Sequence, residues 1–257
     1  MTAIDTSSAA ATLTIRLDRI TANYRALATR VSPASCAAVV KADAYGLGAS
    51  RVAPALAEAG CTEFFVAVLD EALDLRRVLG PKPRIFVLNG LQSGSETVCS
   101  EAGLTPVLNS LEQCRNWSRM VRRPAVLQVD TGMSRLGLSV AEQEYLLASD
   151  LLADLNLVLL MSHLANADEP GHSGNAAQLA AFDAARARFP TLAASLANSA
   201  GIFLSPQYHF DLCRPGAALY GIEIGPLAKG IEPVISLDAA ITQLRSVERG
   251  TSVGYGY

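Results

Sequence analysis

The sequence predicts an α/β protein: an eight-stranded parallel β/α (TIM-type) barrel followed by the start of an all-β domain. Three observations support this fold class. Short apolar runs recur along the chain, helix-like segments separate them, and 257 residues suffice for one barrel. Most of the runs are continuously apolar, as expected of parallel strands covered on both faces. An open doubly wound sheet with fewer strands is the alternative.

Eight segments combine apolar and β-prone residues and are predicted as strands. In chain order they are CAAVVK (36–41), FFVAVL (64–69), RIFVL (84–88), LTPVL (104–108), PAVLQVD (124–130), NLVLLMSH (156–163), AASLANS (193–199) and HFDLCR (209–214). Between them, apolar residues at helical spacing predict helices. One covers 19–31, one ends at Gly80, and one ends before Pro190.

The chain divides into three predicted segments. Residues 1–11, rich in Ser, Thr and Ala, form a flexible tail, and 12–230 form the barrel. From 231 to 257 the pattern changes. Alternating apolar residues from Ile235 to Ile241 predict a strand, and the turn-like GTSVGYGY leads into another. Two strands alone are marginal in water, so we expect the opening of a truncated C-terminal β domain.

Composition and charge favour small-molecule chemistry. The formal net charge is -3, which gives no basic field to recruit nucleic acid or an anionic membrane. The five cysteines form no pair at metal-ligand spacing, so we expect no metal site. There is neither a secretory signal pattern nor an apolar run long enough to span a bilayer. We therefore expect a cytoplasmic protein.

Polar residues follow the predicted strands where a barrel places its active site. They are Lys41, Arg135 in DTGMSR (130–135), His163, Asn198, Ser199, Arg214 and Gly216. The loops NSAG (198–201) and RPGAALYG (214–221) are small enough for backbone N–H groups to approach a phosphate. Each loop alone is more often a cap or a plain turn. Together, the set suits an anionic cofactor held next to an amine.

Lys41 lies at the end of the first predicted strand, close to Tyr45. A partly desolvated lysine amine is a nucleophile that can form a Schiff base with a carbonyl. A lone lysine at a strand end more often extends its charge to water. The functional interpretation of Lys41 therefore depends on the whole set of residues.

The motifs VVKADAYGLG, VDTGMSRLG, SHLANAD, NSAG and RPGAALYG occur in this order and at these spacings in the pyridoxal phosphate-dependent alanine racemases. The sequence resembles that family from about residue 12 to its last residue. The resemblance implies interconversion of L-alanine and D-alanine with pyridoxal 5'-phosphate, supplying D-alanine for cell-wall peptidoglycan. It also implies a homodimer in the full-length form.

The resemblance assigns Lys41 and Tyr255 as two opposed catalytic bases, with Lys41 also holding the cofactor as a Schiff base and Tyr255 delivered by a partner subunit. Arg135 binds the cofactor's phenolic oxygen and the substrate, and Arg214 faces the pyridine nitrogen. The full set of implied cofactor-binding residues is Lys41, Tyr45, Arg135, His163, Asn198, Ser199, Arg214, Gly216 and Ala217.

Arg214 separates racemisation from related chemistries. An arginine can only donate to the ring nitrogen, which then stays unprotonated and withdraws electrons less strongly. This suits racemisation, because a weaker electron sink limits side reactions. Decarboxylases and aminotransferases more often place a carboxylate there. The sequence thus disfavours a decarboxylase.

Two departures from the family pattern leave alternatives open. Gln128 stands where many members carry a carbamate-modified lysine that orients Arg135, so another anion would have to take its place. Most of the family's C-terminal β domain would lie beyond Tyr257. The alternatives are therefore a non-catalytic pyridoxal phosphate-binding barrel fragment, or a racemase for another amino acid.

Overall fold

A computed structural model describes residues 9–120 and 122–256. The chain forms two compact units. The larger consists of residues 16–234, and the smaller joins the residues up to Ile15 with those from Ile235 onward. The larger unit carries most of the predicted site residues.

Seven neighbouring parallel strands in the larger unit follow one another in chain order. They are β3 (Ala38–Val39), β4 (Glu63–Val66), β5 (Arg84–Val87), β6 (Thr105–Leu108), β7 (Pro124–Gln128), β8 (Asn156–Met161) and β9 (Ala193–Ser195). The register is regular except for one irregularity between Ala125 and Val126. The parallel β/α class is therefore confirmed.

A separate two-stranded parallel sheet pairs β2 (Ser35–Cys36) with β10 (Leu212–Cys213). Each of the eight predicted strand segments thus contains a strand, with the first split into β2 and β3. The structure shows a curled sheet of seven parallel strands rather than one continuous sheet of eight.

Helices cover the connections between the strands. They are α1 (Leu17–Val31), α2 (Lys41–Tyr45), α3 (Ala49–Glu58), α4 (Leu69–Leu79), α5 (Glu96–Glu101), α6 (Leu111–Ser118), α7 (Val140–Ala148), α8 (Ser173–Arg188) and α9 (Gly201–Leu204). Short 3-10 turns occur at Asp150–Asp154, Pro206–Tyr208 and Ala217–Tyr220. The three predicted helices are formed as α1, α4 and α8. In the described part of the chain, none of these helices is both long and apolar enough to cross a membrane.

Side chains on opposite faces of the strands enter two separate apolar clusters. In β4, Phe64 joins the cluster that includes the helices, whereas Phe65 joins a smaller one formed mainly by strand residues. The Phe65 and Phe86 rings stack in this smaller cluster with centroids 4.4 Å apart. Val39 belongs to this smaller cluster, and Leu88 packs against it. Because both residues also line the site described below, the cluster supports the site.

The smaller unit contains an antiparallel pair, β1 (Ala11–Ile15) and β11 (Ile235–Ala239), with Leu13 opposite Leu237. The strand predicted from Ile235 is therefore formed. Residues 240–256 contain no strand, and the further strand predicted to follow GTSVGYGY lies outside the described residues. β11 pairs with β1 instead, and β1 was missed because only two large apolar residues alternate in it. Most of the predicted tail, 1–11, lies outside the described residues.

Candidate active site

A cavity of about 310 Å³ lies at the carboxyl ends of the strands. Eight of the ten sequence-predicted site residues line it: Lys41, Tyr45, His163, Asn198, Ser199, Arg214, Gly216 and Ala217. The volume is at the lower end of the range for small-molecule sites, about 300–1,000 Å³. Residues from four separate stretches of chain therefore converge on one pocket.

Lys41 begins a turn of unusual handedness, α2 (Lys41–Tyr45), here called the lysine turn. Ala42, Asp43, Ala44 and Tyr45 have φ angles of 52°, 52°, 55° and 57°. Left-handed helical backbone costs L-residues roughly 1–2 kcal/mol each, so surrounding contacts must hold this turn. The sequence predicted a strand through Lys41. The strand ends earlier, at Val39, because the chain reverses its handedness just after Lys41.

Tyr45 ends the lysine turn inside the cavity. Its ring packs against Tyr220 with centroids 4.7 Å apart, and the Tyr220 hydroxyl donates to the Val39 carbonyl at 2.9 Å. Burial raises the pKa of Tyr45, so its hydroxyl stays protonated and can donate a hydrogen bond. A Cβ atom at Gly216 would collide with this hydroxyl group, so a larger residue there would require Tyr45 to shift.

The loops after β9 and β10 form a polar cradle around Ser199. The Ser199 Oγ accepts hydrogen bonds from the backbone N–H groups of Gly216 at 2.8 Å and Ala218 at 3.1 Å. Asn198 holds the adjacent loop, because its Oδ1 accepts from the Gly201 N–H at 2.9 Å. A hydroxyl and backbone N–H groups beside Lys41 are suitable donors for a phosphate.

The buried guanidinium of Arg214 crosses the floor of the cavity. It donates to the Ser195 Oγ, to the Ser162 carbonyl at 2.6 Å and to the Leu196 carbonyl at 3.4 Å. No carboxylate forms an ion pair with it within residues 9–120 and 122–256. Burial lowers the pKa of Arg214 to about 10, although the neighbouring Cys213 acts to raise it. Arg214 therefore remains charged at neutral pH.

His163 is neutral at physiological pH. Burial is the largest cause, and the charges of Arg214, Arg135 and Lys41 add to it, lowering the pKa of His163 to about 3. Its backbone carbonyl accepts from Gln178 Nε2 at 2.9 Å, which ties the end of β8 to α8. The Gln178 amide oxygen also accepts from the Ala165 N–H at 2.8 Å.

Arg135 and Tyr255 are the two predicted residues that do not line this cavity. Arg135 lies exposed on a loop after β7, close enough for its charge to influence His163. Gln128 contacts the same loop, donating through Nε2 to the Leu136 carbonyl at 3.3 Å. Tyr255 belongs to the other compact unit, where its side chain is fully exposed.

Other residues of the site were missed by sequence reasoning. The cavity is also lined by Val39, Leu88, Asp168, Ala200, Glu223 and Ile224. Leu88 and Asp168 fall within a predicted strand and a quoted motif, which is a usable signal. Ser162 and Ser195, which orient Arg214, also fall within a quoted motif and a predicted strand, but a serine next to an apolar run has no pattern that marks it as a partner of Arg214.

Comparison with known proteins identifies relatives along most of the chain. A family model described as the N-terminal domain of alanine racemase matches residues 15–224. The alanine racemase of Brucella canis is 52% identical over an alignment of 264 positions. The alignment covers 95% of this chain and 67% of that protein. A catabolic alanine racemase of Agrobacterium fabrum is also 52% identical, covering 95% of this chain and 65% of that protein.

Solved structures agree with these sequence matches. Alanine racemase from Bartonella henselae, with covalently bound pyridoxal phosphate, superposes with a TM-score of 0.88 at 43% identity, covering 92% of this chain and 71% of that one. Alanine racemase from Streptomyces coelicolor superposes with a TM-score of 0.86 at 36% identity, covering 96% and 70%. The chain thus spans about two thirds of the proteins it matches.

Proposed function

Since the chain belongs to the alanine racemase family, we propose that it interconverts L-alanine and D-alanine with pyridoxal 5'-phosphate held in the cavity at the carboxyl ends of the strands. The observation that carries this proposal is the combination of Lys41 with Arg214, a fully buried cation without a carboxylate partner in the described residues. A buried charge requires compensation. An electron-rich ring nitrogen and a phosphate would supply it.

The residues present fit the cofactor. Lys41 is the amine available for a covalent bond to its aldehyde carbon, and the Ser199 hydroxyl, the Tyr45 hydroxyl and the backbone at Gly216 and Ala217 would hold its phosphate. When bound, the cofactor would withdraw electrons from the substrate's Cα and so make its proton removable. Arg214 would donate to the ring nitrogen and keep it unprotonated.

His163 and Arg135 would complete the surroundings of the cofactor. His163 is neutral, so it can lie against the ring without adding charge. Arg135 would donate to the cofactor's phenolic oxygen and to the substrate carboxylate, as the family resemblance implies. Gln128 contacts the loop that carries Arg135 through a backbone carbonyl, so an anion beside Arg135 would have to come from solution.

We assign proton removal on one face to Lys41 and on the other to Tyr255 of a partner subunit in a homodimer. What supports this assignment is the family resemblance of the VGYG segment and the full exposure of the Tyr255 side chain. A tyrosine is a weak base at neutral pH, and the family resemblance implies that Arg214, acting through His163, assists it.

We also propose that the strands close into an eight-stranded barrel within residues 16–230 of the predicted 12–230, because residues 12–15 belong to the smaller unit. The support comes from backbone hydrogen bonds on both sides of β10. The Asp211 N–H donates to the Ala194 carbonyl at 3.0 Å, and the Val39 N–H donates to the Pro215 carbonyl at 2.9 Å. These bonds link β10 to β9 and to β3. Residues 231–257 would then open a C-terminal β domain.

The setting proposed for this activity is the cytoplasm, where D-alanine would be supplied for peptidoglycan, without nucleic acid or membrane partners. All five cysteines are free and buried, which fits a reducing compartment. Among the described residues there is no group of His, Cys, Asp and Glu side chains suited to a metal ion.

Reductive trapping tests the proposal directly. The chain has three lysines, Lys41, Lys82 and Lys229, so an adduct is simple to map. The purified chain is incubated with pyridoxal phosphate, reduced with borohydride and digested for mass spectrometry. We expect one adduct, on Lys41, and none in a Lys41→Arg variant. Equal labelling of Lys82 and Lys229 would contradict the assigned site.

Turnover is measured separately from binding. The chain, loaded with pyridoxal phosphate, is incubated with L-alanine or D-alanine in D₂O, and both racemisation and deuterium at Cα are followed. Racemisation from both enantiomers is expected. An adduct on Lys41 without deuterium incorporation would instead identify a non-catalytic cofactor-binding barrel. Turnover of another amino acid in preference to alanine would identify a racemase of different specificity.

A further inference from the structure

We propose that Glu71 is a positioning residue that holds the lysine turn and thereby aims Lys41 into the cavity. Its carboxylate bridges two neighbouring strand ends. Oε1 accepts from the Ala42 N–H at 2.6 Å, whereas Oε2 accepts from the N–H groups of Ala67 at 2.7 Å and Val68 at 3.3 Å. Glu71 thus joins the residue directly after Lys41 to the start of α4.

The Ala42 N–H has no acceptor inside the lysine turn. Within the turn, the Ala44 N–H donates to the Val40 carbonyl and the Gly46 N–H donates to the Ala42 carbonyl, both at 2.9 Å. The first N–H groups of a helical turn lack internal partners whatever its handedness. Glu71 supplies this missing partner as a charged acceptor, which makes the hydrogen bond stronger than a neutral one.

Packing alone does not hold this side of the turn. Val40, Asp43 and Glu71 border a cavity of about 500 Å³ between the turn and α4, distinct from the cofactor cavity. Asp43 gives a second anchor, because its Oδ1 accepts from the Ala49 N–H at 2.7 Å, at the first residue of α3. Carboxylates therefore fix the strained turn at Ala42 and at Asp43.

The consequence for the site follows from the position of Ala42. Rotation of the peptide that joins Lys41 to Ala42 would redirect the Lys41 side chain, and the Glu71 hydrogen bond restrains that peptide. Four consecutive residues with positive φ are held only if their surroundings determine them. Without Glu71 we expect the turn to open locally while the core strands stay folded.

Glu71→Gln is the informative variant, because glutamine keeps the shape but has one acceptor oxygen. Either the Ala42 N–H or the pair at Ala67 and Val68 then faces an NH₂ group. Glu142→Gln is a matched control. Like Glu71, Glu142 is the third residue of its helix, is partly buried and accepts a backbone hydrogen bond, here from the Ser139 N–H at 2.8 Å. Unlike Glu71, it caps α7 and does not contact the lysine turn.

The first measurement is amide hydrogen exchange in the chain without cofactor, so it is independent of the proposed function. Losing one charge-assisted hydrogen bond corresponds to about a tenfold change in the opening equilibrium. We expect exchange across residues 41–48 to become about tenfold faster in Glu71→Gln and unchanged in Glu142→Gln. Unchanged exchange there in Glu71→Gln would overturn the inference.

The second measurement rests on the proposed function: the concentration of pyridoxal phosphate that half-saturates the adduct on Lys41. We expect it to rise about tenfold in Glu71→Gln, under conditions where urea unfolding shows an intact fold, and to stay constant in Glu142→Gln. Equal weakening in both variants, in proportion to lost stability, would mean that Glu71 is only structural. An unmodified Lys41 in the parent chain would refute the proposed function instead, while the exchange result would still decide the role of Glu71.

Discussion

At the scale of single residues, the site combines a buried cation with groups that burial keeps neutral. Arg214 keeps its charge in the interior, whereas His163 and Tyr45 are held uncharged by their surroundings. The charges of Arg214, Arg135 and Lys41 also act on His163. Lys41 and Arg214 therefore place two cations in the cavity, which the carboxylates of Asp168 and Glu223 also line.

His163 should make the chain without cofactor sensitive to acid. Its pKa is about 3 when folded, against about 6.5 when unfolded, so the unfolded chain binds more protons between these values. The free energy of unfolding should then fall as the pH drops from 7 to 5, by about 2 kcal/mol from this group alone. Urea unfolding of the parent chain and of His163→Gln at both pH values measures this. Equal losses in the two proteins would show that His163 is not the cause.

Arg214 should control the product spectrum. In Arg214→Glu, a carboxylate at the ring nitrogen would let that nitrogen hold a proton and withdraw electrons more strongly. We expect more pyruvate from amino-group transfer per racemisation event, measured by coupled lactate dehydrogenase. Arg214→Lys, which keeps the positive charge, serves as the control. An unchanged ratio of pyruvate to racemised alanine in Arg214→Glu would contradict the role of Arg214.

At the scale of elements, the lysine turn shows where prediction from sequence fails. Local apolarity correctly located the parallel strands of the larger unit, because burial on both faces leaves a clear pattern, but it missed β1. The prediction wrongly extended the first strand through Lys41, because no side-chain pattern indicates a left-handed turn built from alanine, aspartate and tyrosine. Glu71 was missed for a related reason, since its partner amide is 29 residues away in the sequence.

A glycine substitution in the lysine turn should change the free energy of unfolding differently from a glycine substitution in an ordinary helix. Ala42 is exposed with φ of 52°, so Ala42→Gly removes a strained Cβ at the expense of a more flexible unfolded chain. We expect the free energy of unfolding to stay equal or rise by up to about 1 kcal/mol. Ala180→Gly, at an exposed position inside α8, should lower it by about 1 kcal/mol. Urea unfolding compares the two, and a loss of similar size in both would contradict the strain at Ala42.

At the scale of the whole molecule, nine of the ten predicted site residues lie within the larger unit. Eight residues named from motifs line one cavity. The remaining two, Arg135 and Tyr255, lie on an exposed loop and in the other unit.

Tyr255 should affect the exchange of the Cα hydrogen unequally in the two enantiomers of alanine. If Lys41 and Tyr255 serve opposite faces, Tyr255→Phe removes the base for only one enantiomer. We expect a larger loss of Cα deuterium exchange for L-alanine or for D-alanine, but not the same loss for both. Tyr257→Phe, two residues further on, is the control. Equal losses for the two enantiomers in Tyr255→Phe would refute the two-base assignment.

The pairing of β1 with β11 has a consequence for how the chain is made. Translation at 5–20 residues per second would separate the synthesis of these two strands by roughly 10–45 s. Throughout that interval Leu13 and Ile15 have no strand to pair with, because their partners Leu237 and Ile235 do not yet exist. β1 is therefore synthesised well before its partner strand, and until β11 is made it presents an unpaired edge.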